Sequence, residues 1–278
     1  MAYDEILYDV ADRVATVTLN RPAKLNAWTR HMEKEVRAAM SAAERDDNVR
    51  VIILTGAGRG FCAGADMQML SSVAGVKRSE AELREALADW LSDSGQSDVR
   101  PDFKKTYSYF PSISKPILAA INGPAAGLGL VIALYCDLRF ASDGAKFSTA
   151  FARRGLIAEH GISWMLPRLV GIANALDLLL SARSIDAAEA LRMGLVSRVL
   201  PQESFLEGVR AYAAELANMV SPRSMKIIKR QVYEALFQNL AEAVDDANQE
   251  MLKSFTCQDF QEGVAHFLEK RAPAFTGK

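Results

Sequence analysis

The sequence predicts an α/β fold with mostly parallel strands, followed by a helical C-terminal region. Short apolar runs typical of buried strands alternate with helical patterns up to Gly171. Beyond Gly171 the pattern is almost wholly helical, and Leu200-Pro201 marks the boundary between the two regions. The 278 residues are enough for one large domain or two small ones. We therefore expect an α/β core over residues 1–200 and a helical region over residues 201–278.

The first third of the chain predicts two strands around one helix. Val14 to Leu19 is rich in Val and Thr and predicts a half-buried strand. Asn26 is placed to cap a helix that runs to about Arg45. The apolar face of that helix consists of Trp28, Met32, Val36, Met40 and Ala43. Val51 to Thr55 is a continuous apolar run that predicts a strand buried on both sides, and a glycine-rich loop, 56–60, follows it.

The remaining elements follow the same logic. The polar segment 71–106 predicts a helix from Glu80 to Leu91 and a mobile flap. A strand (117–121), a helix (125–135) and a strand (137–141) complete the α/β pattern. Ser221-Pro222 predicts a helix start. The last helix has one apolar face, formed by Phe260, Val264, Phe267 and Leu268.

Composition excludes several classes of protein. The net charge of -1 and the pI near 6.4 do not favour nucleic acid or an anionic membrane surface as a partner. Three widely spaced cysteines suggest neither disulfides nor a zinc knuckle, and Asp4 and Glu5 stand where a signal peptide is basic, so we expect a cytoplasmic protein. The uncharged stretch 116–136 is long enough to span a bilayer, but Asn122-Gly123-Pro124 breaks it, so we expect no membrane span.

Two small-residue segments lie where a loop enters a helix: 61–67 and 122–129. The preceding glycines do not fit a dinucleotide-binding fingerprint, because Phe61 stands where the third glycine is needed, and no Walker lysine is present. Small residues let backbone N–H groups approach a ligand, and two such donors can form an oxyanion hole. Close packing of helix on strand is the alternative explanation for each segment.

Five segments together carry a resemblance to a known family. They are Leu19 to Ala27, Gly60 to Asp66, Ala120 to Ala125, Cys136-Asp137 and Glu262 to Arg271. In this order, and over nearly the whole chain, they resemble the crotonase superfamily of enoyl-CoA hydratases and isomerases. The resemblance implies a crotonase-like spiral of β-β-α repeats, a helical C-terminal region that builds a homotrimer or a dimer of trimers, and a coenzyme A thioester as the substrate, with no further cofactor.

The resemblance also assigns residues. The oxyanion donors are the backbone N–H groups of Ala65 and Leu128, and the latter replaces a frequent glycine. The residues matched to substrate or CoA binding are Lys24, Leu25, Ala63, Asp66, Met67, Phe151, Phe267 and Lys270. Asp66 is also interpreted as bracing a helix start, Lys24 as a solvated turn lysine and Phe267 as core.

The sequence departs from the hydratase pattern at two positions. Family hydratases use two glutamates to deliver water across the double bond, but Val131 and Phe151 occupy these positions here. Neither side chain can transfer a proton. Simple hydration is therefore in doubt, although the chain resembles proteins that carry the name enoyl-CoA hydratase.

Glu159 is the remaining carboxylate at a position where isomerases and dehalogenases of the family place a proton shuttle or nucleophile. A carboxylate in an apolar pocket gains basicity and can move a proton beside a stabilised enolate. Its neighbour His160 is a second candidate acid or base, while Glu159 as a helix cap is the competing interpretation. No spacing of His, Asp or Glu predicts a metal site. Two hypotheses stay open: an acyl-CoA enzyme that uses Glu159, and a CoA-binding protein without chemistry.

Overall fold

The computed structural model describes residues 3–68, 71, 79–88 and 99–278. A six-stranded sheet forms its centre, in the order β1-β2-β3-β4-β6-β9. Strands β1 and β2 are antiparallel, and every other neighbouring pair in this sheet is parallel. These strands are β1 (Ile6–Ala11), β2 (Val14–Leu19), β3 (Val51–Gly56), β4 (Ile117–Ile121), β6 (Leu138–Ser142) and β9 (Arg198–Leu200). The prediction of mostly parallel strands is confirmed.

A small second sheet and the helices surround this centre. The second sheet contains β5 (Ala125–Ala126), β7 (Lys146–Ser148) and β8 (Ile185–Asp186), in the order β5-β7-β8. The helices are α1 (Arg30–Arg45), α2 (Glu80–Ala86), α3 (Leu128–Tyr135), α4 (Ile162–Val170), α5 (Ile172–Ser181), α6 (Ala187–Arg192), α7 (Phe205–Met219), α8 (Pro222–Glu234), α9 (Leu240–Phe255) and α10 (Gln258–Glu269).

Strand β3 shows why a continuous apolar run belongs in the middle of this fold. All six of its residues are buried. Side chains of a strand alternate between the two faces of the sheet. Ile52 and Leu54 accordingly join the large core that includes α1, while Val51 and Ile53 pack in a second cluster with Val209 and other residues of α7. The first long helix beyond residue 200 therefore covers one face of the central sheet.

Helix α1 begins later than the sequence predicts. The expected cap, Asn26, is instead fully buried in a left-handed conformation with φ 55°. Its side chain accepts a hydrogen bond from the Arg21 amide at 2.8 Å and donates to the carbonyls of Ala57 and Gly60 at 3.0 and 2.8 Å. Asn26 thus anchors the glycine-rich loop, a long-range role that local sequence does not reveal. The cap of α1 is Thr29, whose Oγ1 accepts from the Met32 amide at 2.9 Å.

We expect Thr29→Ala to lower the free energy of unfolding by about 1 kcal/mol, the usual contribution of an N-cap side chain. The Thr29 hydroxyl also donates to the carboxylate of Glu5, so the substitution removes a second bond. Urea denaturation of the variant and of Thr29→Ser, which keeps the hydroxyl, measures the effect. Equal midpoints for Thr29→Ala and the unsubstituted protein would show that the cap contributes nothing.

The uncharged stretch 116–136 folds as strand, turn and helix, as predicted. Helix α3 starts three residues later than expected because Ala125 and Ala126 pair as β5 with Phe147 and Ser148 of β7. All eight residues of α3 are buried. Within the described residues, we find no helix long and apolar enough to cross a membrane.

The segment 71–106 is described only in part. Helix α2 ends at Ala86, and its start carries a capping box between Ser79 and Glu82. The predicted helix end at Leu91, and most of the predicted flap, lie outside the described residues. The described remainder includes a short 3-10 turn over Pro101–Phe103.

Helix α8 begins as predicted and attaches the helical region to the core. Ser221 caps it by accepting from the Ser224 amide. Further along α8, the buried Lys229 Nζ lies 2.7 Å from the Asp137 carboxylate, and the Tyr233 hydroxyl donates to the same group at 3.0 Å. A buried charge is tolerated when it is paired in this way. Asp137, part of one of the five matching segments, therefore has a structural partner that its own neighbourhood does not predict.

Candidate active site

The first small-residue loop is fixed on both sides by the segment after β2. The Ala63 amide donates to the Leu25 carbonyl at 2.9 Å, the Trp28 amide to Gly64 at 2.8 Å, and the Asp66 amide to Trp28 at 2.9 Å. Ala65 lies within this run and is partly exposed. Its own N–H donates to no protein oxygen in the described part of the chain.

The second loop meets the first at the start of α3. Gly127 has φ 50°, and its amide donates to Ser148 at 3.0 Å. A Cβ atom at Gly64 would lie 2.9 Å from the Ala126 carbonyl oxygen and 3.7 Å from the Leu128 amide nitrogen, so only glycine fits there. Like that of Ala65, the Leu128 N–H has no protein acceptor among the described residues. Among the described residues, two backbone donors without a protein acceptor therefore lie on adjoining loops.

The carboxylate of Asp66 is engaged within the protein. It accepts hydrogen bonds from Gln68 N and Arg21 Nη1, each at 2.9 Å. The backbone bond from Gln68, followed by the contact with Arg21, holds the pKa of Asp66 below its usual range against the opposing effect of burial. Asp66 is therefore ionised at neutral pH and braces the loop that carries Ala65.

The two positions that the resemblance matches to the hydratase glutamates, Val131 and Phe151, are apolar and buried. Val131 is fully buried inside α3. Phe151 is 6% exposed, and a Cβ atom at Gly127 would lie 4.0 Å from its ring. The wall next to the Leu128 amide therefore carries a phenyl ring where the hydratase pattern has a carboxylate.

Glu159 lies on the loop before α4, with about a third of its side chain exposed. The pKa of its carboxyl group is raised because burial disfavours the ionised form. Helix α4 begins after Gly161, and the carbonyl of Glu159, rather than its carboxylate, accepts the Ile162 amide. Within the described residues the carboxylate makes no capping bond, so the geometry does not favour the cap interpretation.

His160 is held in place beside Glu159. Its backbone is left-handed with φ 56°, and its carbonyl accepts from the Tyr135 hydroxyl at 2.8 Å. Its ring packs edge-on against Tyr107, with centroids 4.9 Å apart. Its Nε2 lies 3.6 Å from Oε2 of Glu159, beyond direct hydrogen-bond distance. Burial lowers the pKa of His160 to about 4, so the imidazole is neutral at pH 7.

Gly161 allows the Tyr135 hydroxyl to approach the loop that carries Glu159 and His160. With φ 77°, it has a backbone conformation that favours glycine, and a Cβ atom there would lie 2.4 Å from the Tyr135 hydroxyl oxygen. No local pattern in the sequence indicated that Tyr135 takes part in this arrangement, because its contact with the His160 loop spans 25 residues.

Several of the residues matched to substrate or CoA binding lie on the surface, whereas Asp66 and Phe151 are buried. Lys24 is exposed at the end of a short 3-10 turn, and Leu25 follows with φ 49°. Met67 is 60% exposed, and Phe267 is 77% exposed. Lys270 is the exposed left-handed residue after α10. Within one chain Phe267 is therefore not a core residue, and the apolar face of α10 is open.

One cluster of potential metal ligands was missed by the sequence analysis. His31 Nε2 lies 3.1 Å from Glu35 and 3.3 Å from Asp4. Glu35 also accepts the backbone amides of Asp4 and Glu5 at 2.7 and 2.8 Å. His31 and Glu35 are one helical turn apart, a spacing that could have indicated the cluster. These bonds attach the segment before β1 to α1.

The fold and the site agree with comparisons to known proteins. A solved enoyl-CoA hydratase structure from Bacillus anthracis superposes with a TM-score of 0.86 at 29% identity, covering 99% of this chain and 100% of that one. The expected fold, an α/β spiral with a helical C-terminal region, is thereby confirmed. The family model described as enoyl-CoA hydratase/isomerase matches residues 9–278, and the chain belongs to this family.

Two relatives show the range of names within the family. A probable enoyl-CoA hydratase from Mycobacterium bovis is 35% identical over 276 residues, covering 99% of both chains. The 1,2-epoxyphenylacetyl-CoA isomerase of Escherichia coli is 34% identical over 273 residues, covering 98% of both chains. This chain is thus an acyl-CoA enzyme of the enoyl-CoA hydratase/isomerase family, and its relatives include both hydratase and isomerase names.

Proposed function

We propose that the protein shifts the double bond of an enoyl-CoA thioester, with Glu159 moving the proton and the amides of Ala65 and Leu128 holding the thioester oxygen. The observation that carries this proposal is a half-buried carboxylate with a raised pKa, while both hydratase glutamate positions are apolar. A double-bond shift needs one group that takes a proton and returns it. Addition of water needs a held water molecule as well.

A single carboxylate is sufficient for the double-bond shift, because the same proton is removed and returned. Glu159 takes a proton from C2 of a 3-enoyl-CoA, and the electrons move into the thioester carbonyl to give a dienolate. The oxyanion lies between the amides of Ala65 and Leu128, where fixed dipoles stabilise the charge. Glu159 then returns the proton to C4, which produces the 2-enoyl-CoA with no net gain or loss of protons.

His160 acts in this scheme as a positioning residue. The imidazole beside Glu159 is neutral, so it neither repels a substrate nor places a full positive charge next to the carboxylate. Its ring closes one side of the carboxylate, and the Tyr135 and Tyr107 contacts fix its orientation. Burial keeps Glu159 more basic than a solvated glutamate.

Incubation with a 3-enoyl-CoA tests the proposal directly. We expect the conjugated 2-enoyl-CoA to form, and in D₂O we expect deuterium at C4 of part of the product, because Glu159 can exchange its proton with solvent. The rise in enoyl absorbance and mass spectrometry measure the two effects. Tight binding of the thioester without any turnover would contradict the proposal and favour a CoA-binding protein without chemistry.

We further propose that the protein assembles as a homotrimer or a dimer of trimers, with CoA held near Lys24 and Leu25. A single chain exposes nine large apolar side chains on its last two helices, which supports assembly. The exposed residues are Leu240, Val244, Met251, Leu252, Phe255, Phe260, Val264, Phe267 and Leu268. Oligomers bury such faces against a neighbour, and we propose that Phe267 and Lys270 reach CoA from this part of the chain.

Light scattering of the purified protein is expected to give three or six times the mass of the 30.4 kDa chain. We expect Phe267→Asp to reduce that mass, because a charge within an apolar interface loses its hydration without gaining a partner. The exposed control Glu203→Gln lies away from this face and leaves the mass unchanged. A monomeric mass for the unsubstituted protein would contradict the proposed assembly.

A further inference from the structure

A cavity of about 480 Å³ lies beside the proposed proton carrier. His160 forms part of its wall, and Nε2 of His160 is 3.6 Å from Glu159. Tyr107 forms another part, and its ring lies edge-on to Trp28 with centroids 6.3 Å apart. The backbone of Trp28 is bridged to Ala65. The cavity therefore borders the loop that carries Glu159.

Five aromatic side chains line the cavity: Phe103, Tyr107, Tyr135, Trp164 and Phe237. The rings are fixed by contacts among themselves and with their neighbours. Trp164 and Phe237 are stacked, with an interplanar angle of 15° and centroids 5.5 Å apart. Phe103 meets Phe237 edge-on at 5.9 Å. The guanidinium groups of Arg168 and Arg100 lie over Trp164 and Phe237 at 3.9 and 4.0 Å, which fixes the stacked pair from both sides.

The cavity is large for a short acyl chain. Pockets of roughly 300–1,000 Å³ hold drug-sized ligands, whereas a four-carbon acyl group leaves most of the present volume unfilled. Asp102 and Lys105 also line the cavity, and any volume that the acyl group leaves unfilled contributes no dispersion contacts to binding. The volume therefore favours an acyl group considerably larger than crotonyl.

The shape and chemistry of the cavity lining favour one kind of large acyl group over another. Aromatic rings attract one another in edge-to-face and offset-stacked arrangements, which adds to the effect of buried area alone. A flat ring makes these contacts with several of the five fixed side chains, whereas a flexible alkyl chain makes none and also loses rotamer freedom on binding.

Resting on the proposed function, we propose that the protein acts on CoA thioesters whose acyl group carries an aromatic ring, and that this ring occupies the cavity lined by Trp164, Phe237 and Tyr107. The ring-bearing end lies beyond His160 as seen from Glu159. Specificity for the acyl group is then set by the cavity, while the chemistry stays at Glu159 and the two amides.

Binding of unreactive thioesters tests the proposal independently of turnover. Phenylacetyl-CoA, cyclohexylacetyl-CoA and octanoyl-CoA each carry eight acyl carbons and differ in ring and aromaticity. By titration calorimetry with the whole protein, we expect phenylacetyl-CoA to bind about tenfold more tightly than octanoyl-CoA, the effect of about two favourable ring contacts. Cyclohexylacetyl-CoA is expected to bind more weakly than phenylacetyl-CoA.

Variants locate the preference. Trp164→Leu keeps an apolar side chain but removes a ring, and we expect it to bring the ratio of phenylacetyl-CoA to octanoyl-CoA affinity within about threefold of unity. Tyr8→Leu removes a ring from β1, away from the cavity, and is expected to leave the ratio unchanged. Since each ratio compares two ligands on one protein, a modest loss of stability affects both equally.

Two results would overturn the inference. Octanoyl-CoA binding as tightly as phenylacetyl-CoA would show that the cavity does not select rings. A preference that survives Trp164→Leu unchanged would place the selection elsewhere. Either result leaves the proposed isomerisation intact, whereas failure of every thioester to bind would contradict both the inference and the proposed function.

Discussion

Hydration of crotonyl-CoA is expected to be slower by ~10²–10⁴ than in a family hydratase with both glutamates, because that is the usual contribution of a general acid or base. Water adds across a double bond only when one group activates it and another delivers the proton. Val131 is fully buried in α3 and Phe151 places a ring next to Gly127, so neither position can hold water. Of the three described residues Val131, Phe151 and Glu159, only Glu159 can accept a proton, and two such groups are needed to add water.

Loss of enoyl absorbance with crotonyl-CoA measures this rate, and conversion of a 3-enoyl-CoA by the same preparation shows that the enzyme is active. Turnover of crotonyl-CoA comparable to that of a two-glutamate hydratase would show that other side chains replace both glutamates. The conclusion that Val131 and Phe151 prevent hydration would then be wrong, whereas the fold and the two small-residue segments, 61–67 and 122–129, would be unaffected.

The central sheet was predictable because its signals are local. The four-residue spacing on α1 indicates a helix, and the apolar run of β3, which is short and rich in β-branched residues, indicates a buried strand. The error at Asn26 has a physical cause: Asn suits a helix cap and also a left-handed turn, and only the distant carbonyls of Ala57 and Gly60 decide between them. Tertiary contacts therefore selected Thr29 as the cap.

The residues of the proposed site can be proposed from the sequence, whereas their surroundings cannot. Ala65, Leu128 and Glu159 follow from motifs, since backbone donors and a carboxylate occur at recognisable offsets. The aromatic wall combines segments that are far apart in sequence, with Phe103 before β4, Tyr135 at the end of α3, Trp164 on α4 and Phe237 after α8. No pattern within any one of these segments indicates the others, so the cavity is a property of the fold.

The pH dependence of isomerisation should follow Glu159. A general base must be deprotonated, so kcat/KM is expected to fall as the pH drops through the pKa of Glu159, which burial has raised above that of an ordinary glutamate. His160 stays neutral until the pH approaches about 4 and does not titrate in this range. The acid limb of the profile is therefore assigned to Glu159.

Glu159→Gln is expected to lower kcat for the 3-enoyl-CoA by ~10²–10⁴, because the amide keeps the size and polarity of the carboxylate but cannot accept the proton from C2. Binding of a saturated acyl-CoA should stay nearly unchanged, since the thioester oxygen is held by backbone groups of Ala65 and Leu128 that the substitution does not alter. Glu159→Asp keeps the base on a shorter side chain, so we expect it to retain part of the activity and the acid limb of the pH profile.

Three measurements separate a catalytic role from a structural one for Glu159. Thermal melts of Glu159→Gln should match those of the unsubstituted protein, because its carboxylate makes no hydrogen bond within the described part of the chain. Calorimetry with the saturated thioester measures binding, and steady-state assays measure turnover. Glu203→Gln is the exposed control and should retain full activity. Activity of Glu159→Gln within a few-fold of the unsubstituted enzyme would exclude Glu159 as the proton carrier. If this carboxylate transfers the proton, Glu159→Gln must lose activity without losing folding or binding. Glu159→Asp must then retain part of the activity.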